Sequence, residues 1–269
     1  MLRRTFNTAI TSIVLSSAFL LPSGNEASAQ DRAMSTTSIR ASSLSPDKLA
    51  NNLYLAHVKS RDPITNMNTG RGLFHLTQQI NEKTALNPKG FVSIDIENND
   101  LSFYPVLYWP VTEREATLTD AAQRKLQDYI NNGGMIIFDI QSEQAERQGT
   151  LKRMLGNVSI GALEKAEDEH TLNRTFYLFS KNEDHFHKGD TWVEQKEFDN
   201  PNAVSSIIIA RAGWAQAWAG ITTPLGSKQH ERSLREGINM IMYSLTGNYK
   251  QDLDHNKAVL EKIDLRKKQ

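Results

Sequence analysis

The sequence contains no cysteine among its 269 residues. Disulfide bonds, zinc–thiolate sites, iron–sulfur clusters and a cysteine nucleophile are therefore excluded. The chain also lacks an excess of either charge, because 31 Lys and Arg residues balance 31 Asp and Glu residues and give a net charge of +0. A dedicated nucleic-acid-binding protein carries a basic surplus, so we expect no nucleic-acid partner. With 39% hydrophobic and 23% charged residues, the composition fits one large globular domain better than a multi-span membrane protein.

The N-terminus has the three parts of a secretory signal peptide. Arg3 and Arg4 supply the positive charge, and residues 9–21 form an uncharged, mostly apolar stretch. That stretch is shorter than the roughly 20 residues that a membrane-spanning helix needs. Small residues precede the expected cleavage point, so we predict that the chain is cut between Ala29 and Gln30. The alternative is an uncleaved N-terminal anchor.

Export is expected to deliver the mature protein to a bacterial periplasm, by the general or the twin-arginine route. Residues 30–50 are rich in Ser, Thr and Ala without hydrophobic periodicity, and we interpret them as a flexible lead-in. Residues 251–269 are polar and are expected to form a peripheral tail. The residues between, 51–250, form one predicted domain without a transmembrane span.

Short apolar runs and amphipathic segments alternate along this domain, which predicts an α/β fold with a mostly parallel sheet and helices on both faces. The predicted strands cover 53–58, 91–96, 103–109, 135–140, 176–179 and 204–210. A polar loop is predicted over 66–72, with Thr69 as the N-cap of the helix that follows. Pro110 is expected to end the third strand. Further helices are predicted after the N-cap Thr119, over 144–155, and at the end of the domain.

Four residues are expected at the carboxyl edge of the sheet, where ligands bind in open parallel sheets. Arg71 lies between two glycines at a predicted helix start, where it would bind an anion. Trp109 would stack on a ligand, and Asp139 and Ser142 would hydrogen-bond to it. More ordinary roles remain as alternatives: a solvated arginine in a glycine turn, and, for Asp139, a cap on the helix or loop that follows it.

Ser142 follows a predicted strand, as the nucleophile of an α/β hydrolase does. Such a nucleophile needs a glycine two residues before it and another two residues after it, so that the sharp turn fits. This chain has Ile140 and Gln144 at those positions. A serine hydrolase of that type is therefore not expected.

His185 and His187 are separated by one residue, so both can face one side of a strand and bind a metal. Asp190 and His170 are the candidates for a third ligand. Because residues 181–190 are polar, we favour a solvated loop over a metal site and expect no metal or other cofactor.

Several segments resemble the bacterial domain-of-unknown-function family numbered 4159. The most specific are Leu-Tyr-Trp-Pro at 107–110 and Leu-Thr-Gly-Asn-Tyr-Lys at 245–250, and the matching segments span nearly all of residues 53–250. The resemblance implies a flavodoxin-like three-layer sandwich similar to class I glutamine amidotransferases. It also implies a role in the bacterial envelope, since relatives often form the soluble part of membrane-anchored proteins. An envelope or membrane protein is therefore an expected partner.

Amidotransferases of this fold attack their substrate with a cysteine that follows the strand corresponding to 135–140. This chain has no cysteine, so glutaminase activity is excluded. The favoured function is a non-catalytic exported module that binds a partner protein or a small ligand at the carboxyl edge of its sheet. One alternative is a periplasmic hydrolase that pairs Asp139 with His57 or His170. Another is a carbohydrate-binding module that uses exposed tryptophans.

Overall fold

The computed structural model describes residues 38–40, 44–179, 185–187, 189–195, 204–221 and 226–246. The predicted signal peptide, with its cleavage site after Ala29, and the predicted C-terminal tail lie outside these residues. Within them, no helix has both the length and the apolar character that a membrane crossing requires.

The described residues form eight strands and seven α-helices. The strands are β1 (Ser38–Arg40), β2 (Leu55–Val58), β3 (Phe91–Ile94), β4 (Val106–Val111), β5 (Met135–Ile140), β6 (Leu163–Lys165), β7 (Trp192–Glu194) and β8 (Ile207–Ala210). The helices are α1 (Pro46–Ala50), α2 (Pro63–Lys83), α3 (Asp120–Asn131), α4 (Glu143–Arg147), α5 (Thr150–Leu155), α6 (Trp214–Trp218) and α7 (Ser227–Thr246), with a 3₁₀ turn at Thr171–Arg174.

All eight strands belong to one sheet, in the order β1-β3-β2-β4-β5-β8-β7-β6. The pairings from β1 through β8 are parallel, and in this part of the sheet Ile137 of β5 lies between Tyr108 of β4 and Ile208 of β8. The strands β6 and β7 are antiparallel and form one edge. The predicted mostly parallel, flavodoxin-like arrangement is therefore confirmed.

Alternate side chains of the sheet pack against two separate layers of helices, which makes the fold a three-layer sandwich. In β5, Ile136 and Phe138 belong to a core shared with α3 and α5. Met135 and Ile137 belong to a second core shared with α2, α6 and α7. All four side chains are at most 2% exposed, as the continuous apolar sequence of a two-sided strand predicts.

Two local signals around α3 are confirmed. Thr119 caps the helix, because its hydroxyl oxygen accepts a hydrogen bond from the Ala122 N–H at 3.2 Å. Gly133, just past the end of α3, has a φ of +85°, a backbone conformation that costs glycine little. These two residues fix where the helix begins and ends, and β5 follows at once.

Pro110 does not end β4, so that prediction was wrong. The strand continues to Val111. The Gln141 amide donates to the Val111 carbonyl, so the backbone polar groups of Val111 point towards β5. Because these groups alternate in direction along a strand, the backbone nitrogen of Pro110 points towards β2. The register between β2 and β4 stops at Tyr108, and the missing N–H of Pro110 therefore costs no ladder hydrogen bond.

The predicted polar loop and its N-cap, Thr69, lie inside α2, so this prediction was also wrong. Asp62 caps the helix and Pro63 occupies its first turn, both common features of helix starts. Gly72 is helical and lies where α2 crosses α6, because a Cβ at this position would be only 2.2 Å from the Ala215 carbonyl oxygen. The glycine permits the close approach of two helices and not a turn.

The remaining differences concern short or irregular segments. The predicted helix over 144–155 is divided into α4 and α5 by Gly149, whose φ is +58°. The predicted strand over 176–179 is irregular, and its Leu178 is 76% exposed. The three-residue strands β6 and β7 were not predicted, and β1 and α1 form within residues 30–50, which were predicted as a flexible lead-in.

Candidate functional site

The carboxylate of Asp139 lies at the carboxyl end of β5 and is completely buried. Its Oδ1 atom accepts hydrogen bonds from the amides of Ala212 and Gly213, at 3.1 and 3.0 Å. Its Oδ2 atom accepts from the Trp214 amide at 2.8 Å and from the Tyr108 hydroxyl. Asp139 therefore holds the turn between β8 and α6 in place. The alternative from the sequence was a cap on the helix or loop that follows Asp139, but the turn that it holds comes 73 to 75 residues later.

Burial controls the protonation of this cluster. Burial raises the pKa of Asp139, an effect that the hydrogen bonds from Tyr108 and three amides reduce without cancelling. Burial and the neighbouring Asp139 also raise the pKa of Tyr108 well above 10. The phenol therefore stays a proton donor to Asp139, and its oxygen accepts the Ala215 amide at 3.2 Å. These groups form a closed structural unit.

Ser142 is the N-cap of α4. Its oxygen accepts a hydrogen bond from the Ala145 N–H at 3.1 Å, and its hydroxyl donates to Oε2 of Glu113 at 3.0 Å. The hydroxyl therefore positions the start of a helix. This arrangement agrees with the mismatched flanking residues, which argued against a nucleophile here.

Trp109 and Arg71 do not join the other two residues in one site. Trp109 is only 2% exposed, and its ring packs against Phe138 at a centroid distance of 5.6 Å. Arg71 lies within α2 instead of at a helix start, so the predicted anion site at a helix N-terminus is wrong. A shared ligand for Arg71, Trp109, Asp139 and Ser142 thus has no common surface in the described part of the chain.

The two histidines proposed as partners of Asp139 have other neighbours. His57 is 2% exposed, and its Nδ1 lies 3.3 Å from the Val58 carbonyl oxygen. His170 accepts the Leu172 N–H through Nδ1 at 3.2 Å and so caps the 3₁₀ turn. The four groups that hydrogen-bond Asp139 include neither histidine.

The buried imidazole of His57 predicts a loss of stability in mild acid. Burial lowers the pKa of His57 from 6.5 to about 4. An unfolded chain therefore binds a proton there at pH 5 and the folded chain does not, so stability falls as the pH drops below 6.5 and the loss is complete below about 4. We expect the free energy of unfolding, measured with urea, to fall by about 2 kcal/mol from this group between pH 7 and pH 5.

The variant His57→Leu isolates this contribution. Between pH 7 and pH 5, the free energy of unfolding of this variant should fall by about 2 kcal/mol less than that of the wild type. This difference does not depend on the stability of the variant at pH 7. Equal losses in the two proteins would show that His57 titrates normally in the folded state.

His185 and His187 do not lie in a solvated loop, so that prediction was wrong. Their side chains are 18% and 8% exposed, and both face the buried Glu236 of α7. Nδ1 of His185 lies 3.2 Å from Oε1 of Glu236, and Nδ1 of His187 lies 3.2 Å from Oε2. Both imidazoles thus contact the same carboxylate, one at each oxygen.

Glu236 is held by two further donors. The Phe186 amide donates to Oε1 at 2.6 Å, and the Trp214 indole N–H donates to Oε2 at 2.9 Å. Burial alone would raise the pKa of Glu236, but the hydrogen bonds from the histidines and from Trp214 outweigh burial and lower the pKa to about 2. The carboxylate is therefore ionised at neutral pH.

Glu236 was not singled out from the sequence, although a signal was present. Glu236, Met240 and Tyr243 recur at helical spacing, and all three are at most 4% exposed. The apolar stripe that starts at Leu234 describes only part of the buried face of α7. A carboxylate on the rest of that face must be paired, and the histidines 49 and 51 residues earlier supply the pairing.

A cavity of about 600 Å³ opens beside the two histidines, within the range of about 300–1,000 Å³ typical of small-molecule sites. We call it the histidine cavity. Its polar wall includes Lys165, Asn173, Asp190, Thr191, Gln229 and Arg232. Trp192 pairs with Ile209 in the register of β7 and β8, so the preceding Thr191 lies beside the carboxyl end of β8.

The wall of the histidine cavity presents charges of both signs. Lys165 forms ion pairs with Asp190 at 2.9 Å and with Glu167 at 3.9 Å. Asp190, a candidate metal ligand, is therefore occupied by a lysine. The described residues contain no group of three or more His, Asp or Glu side chains arranged to hold a metal ion. The arrangement suits a ligand that makes hydrogen bonds and ion pairs.

The usual ligand position of such a sheet is filled by the chain itself. The strand order reverses at β2, so the crevice between the carboxyl ends of β2 and β4 is the expected site. There, Oε1 of Glu115 accepts the hydroxyls of Ser60 at 2.6 Å and Thr112 at 2.7 Å. All three residues are at most 6% exposed. The histidine cavity lies elsewhere, beside the carboxyl end of β8.

The chain was compared with protein families and with curated proteins. Residues 54–245 match the model of a protein family described as a domain of unknown function, DUF4159. The match extends over well over half of the 269-residue chain. The search of curated proteins found no match.

Proposed function

Starting from the fact that the chain belongs to the DUF4159 family of domains of unknown function, we propose that it is an exported module that binds a small polar ligand in the histidine cavity. The cavity lies beside the carboxyl end of β8, and this position supports the proposal. We further propose a periplasmic location, which rests on the signal-peptide pattern of residues 1–29. The mature chain would then begin at Gln30.

The observation that carries this proposal is an arginine without an ion-pair partner in the cavity wall. Arg232 lines the cavity, is partly exposed, and forms no ion pair within the described residues. An arginine guanidinium binds carboxylate and phosphate groups through charge-assisted hydrogen bonds. A ligand with an anionic group would therefore supply the missing partner of Arg232.

A small ligand is better supported than a carbohydrate bound by tryptophans. Trp109, Trp214 and Trp218 are at most 2% exposed, and only Trp192 is open to solvent, at 42%. Trp192 is not among the residues that line the histidine cavity.

Docking of an envelope partner is also less well supported. The edge strand β6 is exposed along its whole length, so its backbone is open to pairing with another chain. It has only three residues, and two of them, Glu164 and Lys165, are charged. Short charged edges discourage strand addition.

A thermal-shift screen of the mature protein against small polar metabolites tests the proposal. We expect that at least one anionic compound raises the melting temperature, because a ligand that binds only the folded state stabilises it. Arg232→Ala should weaken binding of that compound by about tenfold or more, since a hydrogen bond to a charged group contributes about 1.5–3 kcal/mol.

The matched control is Arg124→Ala, which removes an exposed arginine from α3, on the opposite face of the sheet. It should leave the affinity unchanged. Binding that is insensitive to Arg232→Ala, or that is weakened equally by both variants, would place the ligand outside the histidine cavity and contradict the proposal.

A further inference from the structure

We propose that Thr191, His187 and Glu236 form a nucleophile, base and positioning carboxylate for acyl transfer within the histidine cavity. Oγ1 of Thr191 lies 3.1 Å from Nε2 of His187, and Nδ1 of the same ring lies 3.2 Å from Oε2 of Glu236. A hydroxyl, an imidazole and a carboxylate in this sequence of contacts are the recurring arrangement of activated nucleophiles. The inference rests on the proposed ligand cavity and adds a reaction to it.

The carboxylate of Glu236 determines which nitrogen of His187 carries the proton. An ionised carboxylate only accepts hydrogen bonds, so the Nδ1 atom that faces Glu236 must carry a proton. In a neutral imidazole, Nε2 is then the acceptor. Its partner is the Thr191 hydroxyl, which must donate. The hydroxyl proton thus already points at the base that would remove it.

A purely structural role explains only part of this arrangement. The Phe186 amide and the His185 ring already attach residues 185–187 to Oε1 of Glu236. The indole of Trp214 then fixes Oε2, on the side that His187 contacts. His187 uses its second nitrogen to reach a half-buried hydroxyl in the cavity wall. That last contact is the one a hydrolytic site needs.

An ester would be hydrolysed in two steps, acylation of Thr191 and deacylation by water. Oγ1 of Thr191 attacks the carbonyl carbon, and its proton moves to Nε2 of His187, whose positive charge Glu236 stabilises. The carbon–oxygen bond of the ester then breaks, and the departing alcohol takes the proton from His187. A water molecule next attacks the threonyl ester and gives its proton to His187, which returns it to Thr191 as the acid leaves. Ester and water thus become acid and alcohol.

A small alkyl β-lactone is a suitable probe, because it needs no identified substrate. Attack by Thr191 opens the ring, forms an ester on Oγ1, and leaves an alkoxide that takes the proton from His187. We expect peptide mass spectrometry to find one adduct per chain, on Thr191. Thr191→Ser should retain labelling, and Thr191→Val should abolish it at this position. Thr117→Val, which changes an exposed threonine before α3, should label like the wild type.

Two further variants test how the hydroxyl is activated. His187→Gln should lower the labelling rate by about 100-fold or more, the usual contribution of a general base. Glu236→Gln should lower the maximal rate while leaving the half-saturating probe concentration unchanged, because Glu236 positions the base and does not contact the probe. Melting curves of both variants confirm that they are folded.

The outcomes separate this inference from the proposed function. An unmodified Thr191 in a protein that still binds its ligand overturns the inference and leaves the proposed function standing. Equal labelling rates in the wild type and in folded His187→Gln also overturn it, because the hydroxyl would then react without its base. Labelling of Thr191 that needs His187, in a protein that binds no ligand in the screen, supports the inference and contradicts the proposed ligand class.

Discussion

Replacing Asp139 with alanine is expected to destabilise the protein by about 3 kcal/mol or more. The change leaves three amides, the buried one of Trp214 and the partly buried ones of Ala212 and Gly213, without the acceptor that they share. Each unsatisfied buried donor costs about 1–3 kcal/mol. The Tyr108 hydroxyl loses its acceptor as well. Since a domain is stable by only about 5–15 kcal/mol, urea unfolding should show a large decrease in the midpoint.

Two variants calibrate this result. Tyr108→Phe removes one donor to Asp139 and the acceptor of one amide, so it should cost less than Asp139→Ala. Asp128→Ala, on the exposed side of α3, should change stability by less than about 0.5 kcal/mol. If Asp139→Ala were as stable as Asp128→Ala, the carboxylate would not be holding the turn between β8 and α6.

The features that the sequence predicts correctly depend on neighbours in the chain. The strand Met135–Ile140 is apolar except for Asp139, and its bounds were predicted without error. Thr119 and Gly133 act on the helix between them through their own backbone and side-chain geometry. In each case the stabilising contacts lie within a few residues, so the pattern of those residues is enough.

The candidate site depends on contacts between distant residues and was therefore only partly predictable. Asp139 was selected because it lies near the end of an apolar strand, but Tyr108 precedes it by 31 residues and its three amide partners follow 73 to 75 residues later, in a turn with no distinctive pattern. His185 and His187 were selected for their spacing. Their solvated setting was predicted wrongly because Glu236, which buries them, follows 49 and 51 residues later.

Trp214 connects these two distant clusters. Its amide donates to Asp139, and its indole donates to Glu236. The position of α6, which begins at Trp214, thus sets the geometry of the structural unit at β5 and of the histidine cavity together. Any change that displaces α6 is expected to affect both.

Gly72→Ala is expected to be such a change and to destabilise the protein by about 2 kcal/mol or more. The new Cβ would lie 2.2 Å from the carbonyl oxygen of Ala215 and 2.9 Å from its Cα, and these are backbone atoms that cannot move aside as a side chain can. Alanine gains about 0.5–1 kcal/mol over glycine in a helix, which is too little to offset the overlap. The midpoint of urea unfolding measures the net effect.

Gly70→Ala is a matched control in the same helix. Its Cβ would meet only the ring of Phe91, at 3.4 Å, an ordinary contact. This variant should therefore show the helix-propensity gain alone and be stabilised by about 0.5–1 kcal/mol. If Gly72→Ala were stabilised equally, α2 and α6 would not approach as closely as the structure shows. The opposite signs expected for two glycines that are two positions apart separate the tight contact with α6 from any general effect of alanine in α2.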